Sequence, residues 1–175
     1  EDIQNAIKNL YKQGMFERVE ISVISRSGNT IYLDIFLEEK NRMSSLVIEG
    51  VKKGEANTLK EKININSGDI LTEYAISNAV DKIKKHYIDK GFNNVNVKVS
   101  QQADTAAKGR SVLYIYVDKG SRVKIENINF VNNNVIADKK LKKAMKDTKE
   151  KSVLNIFKSS KYIPANYEKD KANVI

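Results

Sequence analysis

The chain has 175 residues, 41% of them hydrophobic and 30% charged, and a formal net charge of +9. It has no cysteine and a single histidine, His86, which excludes disulfides, thiolate metal centres and multi-histidine sites. No apolar run approaches the roughly 18 residues of a membrane-spanning helix, and the clean periodic segments set the chain apart from disordered sequences of similar polarity.

Ile3, Ala6, Ile7 and Leu10 recur at helical spacing, and Gly14 closes that helix. Val19, Ile21 and Val23 then alternate with Glu20 and Ser22, and after Ser27-Gly28-Asn29 a second strand carries Ile31, Leu33, Ile35 and Leu37. With Leu33, Ile35 and Leu37 turned inward, Tyr32 and Phe36 face out. Leu46 to Glu49 predicts a short strand, Ala56 to Ile63 a brief helix, and Asn66-Ser-Gly-Asp69 a break. Thr72 is the expected N-cap of a long helix whose apolar face is Ala75, Ile76, Ala79, Val80, Ile83 and Tyr87, and Gly91 ends it. In the strand Asn94 to Gln102, Val95, Val97 and Val99 alternate with Asn94, Asn96, Lys98 and Ser100. Val112 to Val117 follows, with Leu113, Ile115 and Val117 inward and Tyr114 and Tyr116 outward.

The last third repeats the opening of that series. Ile125 to Val131 predicts a strand, Asn132-Asn-Asn134 a turn, and Leu141, Ala144 and Met145 a short helix. About twenty residues, 146–166, then stand where the preceding copy spends about eight, and they include the apolar Val153-Leu-Asn-Ile-Phe157 and the only proline, Pro164. Tyr167 to Ile175 reads as the first turns of another long helix.

Gly14 and Gly91 are 77 positions apart, Arg42 and Arg122 are 80 apart, and Leu46-Val-Ile-Glu-Gly50 aligns with Ile128-Asn-Phe-Val-Asn132 at nearly the same offset. A repeat of this length divides the chain into a partial unit 1–40, a complete unit 41–120 and a partial unit 121–175. Because the chain opens inside a helix, it is expected to be a piece of a longer protein. The fold class is α+β. In the complete unit, strand-helix-helix-strand-strand, the hairpin pairs antiparallel and the first strand lies beside the last, giving a mixed three-stranded sheet of order 1-3-2 with both helices on one face. The second strand, Asn94 to Gln102, is then an exposed edge. Gly14 and Gly91 are expected in the left-handed conformation that lets a helix stop and a strand begin at once.

No glycine-rich phosphate loop, nucleophile elbow or HExxH motif occurs, so neither catalysis nor a cofactor is expected. His86, in Lys84-Lys-His-Tyr87, reads as a solvated side chain, and Glu38-Glu39 beside Lys40 and Arg42 as surface charge. Between Lys139 and Lys161 nine lysines face only Asp147 and Glu150. Lys139, Lys140, Lys142, Lys143 and Lys146 are therefore candidates for an anionic partner, an acidic membrane surface or an acidic accessory protein, against the blander reading of a solvated helix face. The outward aromatics Tyr32, Phe36, Tyr114 and Tyr116 are a candidate partner face, or else cross-strand pairs that shield the sheet. Asn94, Val95, Asn96, Val97, Lys98, Val99 and Ser100 offer an edge to which an extended peptide could add itself. A basic nucleic-acid-binding α+β module is the alternative from another class, given a pI near 9.5. Against it, no full RRM motif is present, and Gly50-Val-Lys-Lys-Gly54 is one residue too long for a KH loop.

The helix ends Tyr87-Ile-Asp-Lys-Gly-Phe92 and, less closely, Tyr11-Lys-Gln-Gly-Met-Phe16, together with the first-strand motifs Ile48-Glu-Gly50 and Ile128-Asn-Phe-Val-Asn132, resemble the POTRA domain. The resemblance covers nearly the whole chain and rests on the order and recurrence of individually weak motifs. Tandem units of this kind resemble the periplasmic arm of the BamA family, and related arms serve two-partner secretion transporters. The resemblance implies a non-catalytic module located in the periplasm as part of an outer-membrane protein. Its implied partners are unfolded outer-membrane proteins and accessory assembly proteins, with no nucleic acid. The basic insertion and the Gly50-to-Asn132 difference depart from the pattern.

Overall fold

The computed structural model describes residues 2–152 and 160–174. The apolar patch Val153 to Phe157 singled out in the sequence lies outside the described residues. The elements are α1 (Asp2–Lys12), β1 (Phe16–Ser27), β2 (Thr30–Glu39), β3 (Arg42–Glu49), α2 (Lys53–Ile63), α3 (Glu73–Ile88), β4 (Asn96–Ala103), β5 (Arg110–Asp118), α4 (Asp138–Ala144) and α5 (Pro164–Ala172). They form a two-stranded sheet β1-β2 and a three-stranded sheet in the order β3-β5-β4. That is the 1-3-2 order expected of the complete unit. By contacts the chain divides into two compact units: 1–47, 65–75 and 100–114 make the first, and 48–64, 76–99 and 115–175 the second.

In the first unit, α1 packs on β1, and β1 pairs antiparallel with β2 around the two-residue Gly28-Asn29 turn. The register sets Val19 opposite Leu37, Ile21 opposite Ile35 and Val23 opposite Leu33 on one face. Only Val19 of these is buried, and Leu33, Ile35 and Leu37 stay exposed at 42%, 54% and 43%. The expected inward set is thus on one face as the pleat requires, but an inward face is buried only when another layer covers it. α1 covers the Val19 end and nothing among the described residues covers the rest. At the start of β3, the Arg42 N–H donates to the Gly109 carbonyl at 3.3 Å, and the Asn41 amide donates to Ser111 Oγ at 2.7 Å. Pairing with the 65–75 segment, where Met43 N–H donates to the Asp69 carbonyl at 2.8 Å, lengthens β3 upstream of the expected Leu46.

In the second unit, α2 buries Ala56, Leu59 and Ile63, and α3 buries Ala79, Ile83 and Tyr87, each a stripe at helical spacing. On β5 the alternate residues Ile115 and Val117 are buried as well, 1% and 0% exposed. At the start of α3, which lies in the 65–75 segment of the first unit, Thr72 Oγ1 accepts the Ala75 N–H at 3.1 Å, as an N-cap should. At the other end Gly91 has φ +87°, and the Phe92 N–H donates to the Tyr87 carbonyl at 3.0 Å and the Gly91 N–H to that of Ile88 at 2.8 Å. Together these bonds make a Schellman stop. The Tyr87 and Phe92 rings then meet edge to face at 6.0 Å, which gives the Tyr-to-Phe helix-end motif a packing role. Gly14 is left-handed as well, with φ +70°.

Gly50, at the end of β3, has φ +81°, and a Cβ there would lie 2.1 Å from the Val117 carbonyl oxygen. With Arg42 beside Gly109 and Gly50 beside Val117, β3 and β5 run parallel, while β4 and β5 form an antiparallel hairpin. Asn132, the residue aligned with Gly50, is also left-handed, φ +64°. Asparagine tolerates that conformation better than most residues with a side chain, so both positions hold a left-handed turn with different residues.

Two expectations in the last third do not hold. Ile125 to Val131 forms no strand with the described residues. The pairing present is the bridge between Lys124 and Lys161, extended by the Ile125 N–H to the Ser160 carbonyl at 2.7 Å. Helix α5 begins at Pro164 and not at Tyr167, since proline at a first helical position has its φ already set and no N–H to satisfy.

Candidate functional site

β4 is an edge strand of the three-stranded sheet. Val97 and Val99 are half-buried, whereas Asn96, Lys98 and Ser100 are exposed. Inward residues thus fasten the strand while its outer side stays polar. Asn94 and Val95 precede the strand, because the turn out of α3 is still being completed there, with the Asn93 side-chain amide donating to the Tyr162 carbonyl at 2.9 Å. The Asp104 N–H donates to the Arg110 carbonyl at 2.9 Å. Counting back by twos, the even-numbered N–H groups, Lys98 included, face β5, and those of Val97, Val99 and Gln101 face outward.

The four candidate aromatics lie on two strands. Tyr32 and Phe36 lie on β2 of the two-stranded sheet, Tyr114 and Tyr116 on β5 of the other. Arg18 lies over the Phe36 ring at 5.3 Å. Tyr116 is 49% exposed, and its ring edge would sit 3.3 Å from a Cβ at Gly50. Tyr114 is half-buried.

The lysines of the 139–146 stretch divide. Lys139, Lys140, Lys143 and Lys146 are exposed, while Lys142 pairs with Glu150 at 2.9 Å. The Lys142 hydrogen bond, with the Ile128 N–H behind it, holds the Glu150 carboxyl below the usual carboxylate range. Lys149 caps the end of α4 by donating to the carbonyls of Lys142 and Met145. Lys142 therefore serves the local fold, and the open charge is carried by its neighbours.

Sequence reasoning missed Asp170. It lies in the charged run Glu168-Lys-Asp-Lys171, which reads as solvated, yet it is 0% exposed. Its carboxylate accepts the backbone N–H groups of Lys146, Asp147 and Thr148 at 2.9, 2.8 and 2.5 Å. Burial pushes its pKa up, and the hydrogen bonds from this segment outweigh that and bring it below the usual value. The carboxylate thus ties α5 to the start of the expected insertion. His86, expected to be solvated, is half-buried and accepts from Lys90 at 2.8 Å through Nε2. Among the described residues no group of three or more His, Asp or Glu side chains could hold a metal ion, and no helix is long and apolar enough to cross a membrane.

Helices α2 and α3 and a β3-β5-β4 mixed sheet with an open edge make up the strand-helix-helix-strand-strand series, and residues 42–120 match the family model described as POTRA, surface antigen variable number repeat. The outer membrane protein assembly factor BamA of Buchnera aphidicola is 25% identical over 173 residues, 97% of this chain and 27% of the relative. That of Neisseria meningitidis is 26% identical over 142 residues, 79% of this chain and 17% of the relative. The chain thus spans under a third of the length of these relatives. Among solved structures, POTRA domains 3–5 of Haemophilus influenzae BamA match with TM-score 0.51 at 19% identity, covering 91% of this chain and 59% of that one. Haemophilus ducreyi BamA lacking POTRA domains 1–3 matches with TM-score 0.54, also at 19% identity, over 76% and 23%. These structures share the fold. Residues 42–120 thus match a POTRA domain, and the chain is similar to POTRA repeats of BamA-family outer-membrane protein assembly factors.

Proposed function

We propose that the chain is a non-catalytic periplasmic module that captures unfolded outer-membrane proteins by β-augmentation along β4 and docks accessory assembly proteins. The outer edge of β4, unpaired among the described residues, supports this reading most. Its outward N–H and C=O groups recur at the spacing of an extended chain, so a client can pair without a particular sequence. Each such bond nets about 0.5 to 1.5 kcal/mol, which keeps capture weak and broad, as a conveyor of unfolded chains requires. In this reading the functional units are 1–40, 41–120 and 121–175, and Lys139, Lys140, Lys143 and Lys146 meet an acidic partner or membrane surface.

A labelled ten-residue peptide of alternating apolar and polar residues tests the edge by fluorescence anisotropy. Gln101→Pro removes an outward donor without breaking the ladder to β5 and should weaken binding, whereas Gln101→Ala should not. Equal binding by both variants, with the parent's circular dichroism retained, would count against the edge.

A further inference from the structure

We propose that the open cavity beside the end of α2 and the last turns of α3 binds a phosphate-type dianion. The cavity, of about 500 Å³, is lined by Lys62, Lys82, Lys85, His86, Asp89 and Lys90, all in the second unit. Lys82, Lys85, His86 and Asp89 fall at i, i+3, i+4 and i+7, so they share one stripe of α3 and its continuation. The volume lies within the range of small-ligand pockets.

The charge balance is the argument. Four ammonium groups face one carboxylate, Asp89, which is taken by Lys85 at 3.2 Å. Lys82 donates to the Ile63 carbonyl at 3.4 Å, an ordinary use of a lysine at a helix C-terminus. The two helix ends account for only about half a charge each, leaving Lys62 and Lys90, which form no ion pair among the described residues. Lys90 instead takes the His86 Nε2 at 2.8 Å as its acceptor, which requires a neutral imidazole. Glu55 and Lys62 on α2 and Asp89 and Lys90 after α3 act on that ring. Burial first, then Lys90 and Lys62, lower its pKa, and Glu55 and Asp89 pull the other way.

A cation whose hydrogen-bond partner is a neutral ring is available to an anion. A dianion seated between Lys62 and Lys90 would offset their mutual repulsion and, by reducing their effect on the ring, raise the His86 pKa. Lysines bind phosphate as rotatable point charges and need no fixed fork. A single carboxylate would leave most of the local charge unmatched. Nothing in this assignment depends on the β4 edge.

The test is a titration of the ¹⁵N-labelled full chain with inorganic pyrophosphate at constant ionic strength near about pH 7.5, where an unperturbed imidazole is mostly neutral. Saturable shifts should centre on Lys62, Lys85, Lys90 and the His86 ring. Sulfate, whose charge is constant across the range, should raise the His86 pKa. Lys62→Gln with Lys90→Gln should weaken pyrophosphate binding by about tenfold or more, and Lys139→Gln with Lys143→Gln should leave it unchanged. Phosphatidic acid vesicles separate the sources. Capture lost in the Lys62/Lys90 pair assigns a lipid headgroup, and pyrophosphate binding without such capture assigns a free phosphate. Shifts spread over lysines throughout the chain without saturation, or a Lys62/Lys90 pair that binds as the parent does, would overturn the proposal.

Discussion

Gly50→Ala probes the joint between β3 and β5. The new Cβ would lie 2.1 Å from the Val117 carbonyl oxygen and 3.0 Å from its carbon, on a residue with φ +81°. The opposing atoms are backbone, so the strands must part by about 1 Å to reach even a tight contact. Left-handed strain contributes about 1–2 kcal/mol, and overpacking of a rigid site about 1–3 kcal/mol, for a total of about 2–5 kcal/mol. In a unit of this size each kcal/mol moves the melting temperature by about 4–8 °C, so a loss of about 10 °C or more is expected. Gly109→Ala is the control, because it has φ +72° but nothing within 4 Å of its Cβ, and it should lose only about 1–2 kcal/mol. Both variants are measured by urea unfolding and thermal circular dichroism. Equal losses would show that the close approach to Val117 contributes nothing and would refute the reasoning.

Asp170→Asn should destabilise the chain by about 1–2 kcal/mol, because the remaining acceptor cannot serve three N–H groups as a carboxylate does. Amide exchange at Lys146, Asp147 and Thr148 should quicken most. The Asp170 pKa is depressed in the folded state, so its contribution is fully present above the unfolded value of about 3.9 and is lost as pH falls through the lower folded value. Exchange at those amides should therefore show no Asp170-dependent change between about pH 5 and 8 and rise only under strong acid. Co-sedimentation with acidic vesicles should fall at high salt and in Lys139→Gln/Lys143→Gln/Lys146→Gln, whereas Lys142→Gln should mainly destabilise α4 by freeing Glu150.

The helix ends and apolar stripes were legible because they rest on local signals. A glycine that must stop a helix, at Gly14 and Gly91, and the periodic stripes of α2, α3 and β5 need no knowledge of what they touch. The 1-3-2 order followed from connection rules alone. Burial and pairing were less legible because they depend on neighbours. The stripe Leu33, Ile35 and Leu37 has the pattern of an inward face, and periodicity reports which side a residue is on, not whether that side is covered. Ile125 to Val131 has a strand's composition without a strand's partner among the described residues. Asp170 gave no signal because its donors are backbone N–H groups more than twenty residues away, and backbone donors have no residue type to read. The β4 edge could be placed from sequence, but the direction of each N–H could not. That came from the single Asp104-to-Arg110 bond.

The most direct measurement of the central claim is residue-resolved hydrogen exchange of β4 with and without a saturating extended client peptide. Pairing along the edge predicts new protection at the outward amides of Val97, Val99 and Gln101, with little change at Lys98 and Ser100, whose N–H groups already face β5. Client binding that leaves Val97, Val99 and Gln101 exchanging as in the free chain, with protection elsewhere, would contradict it.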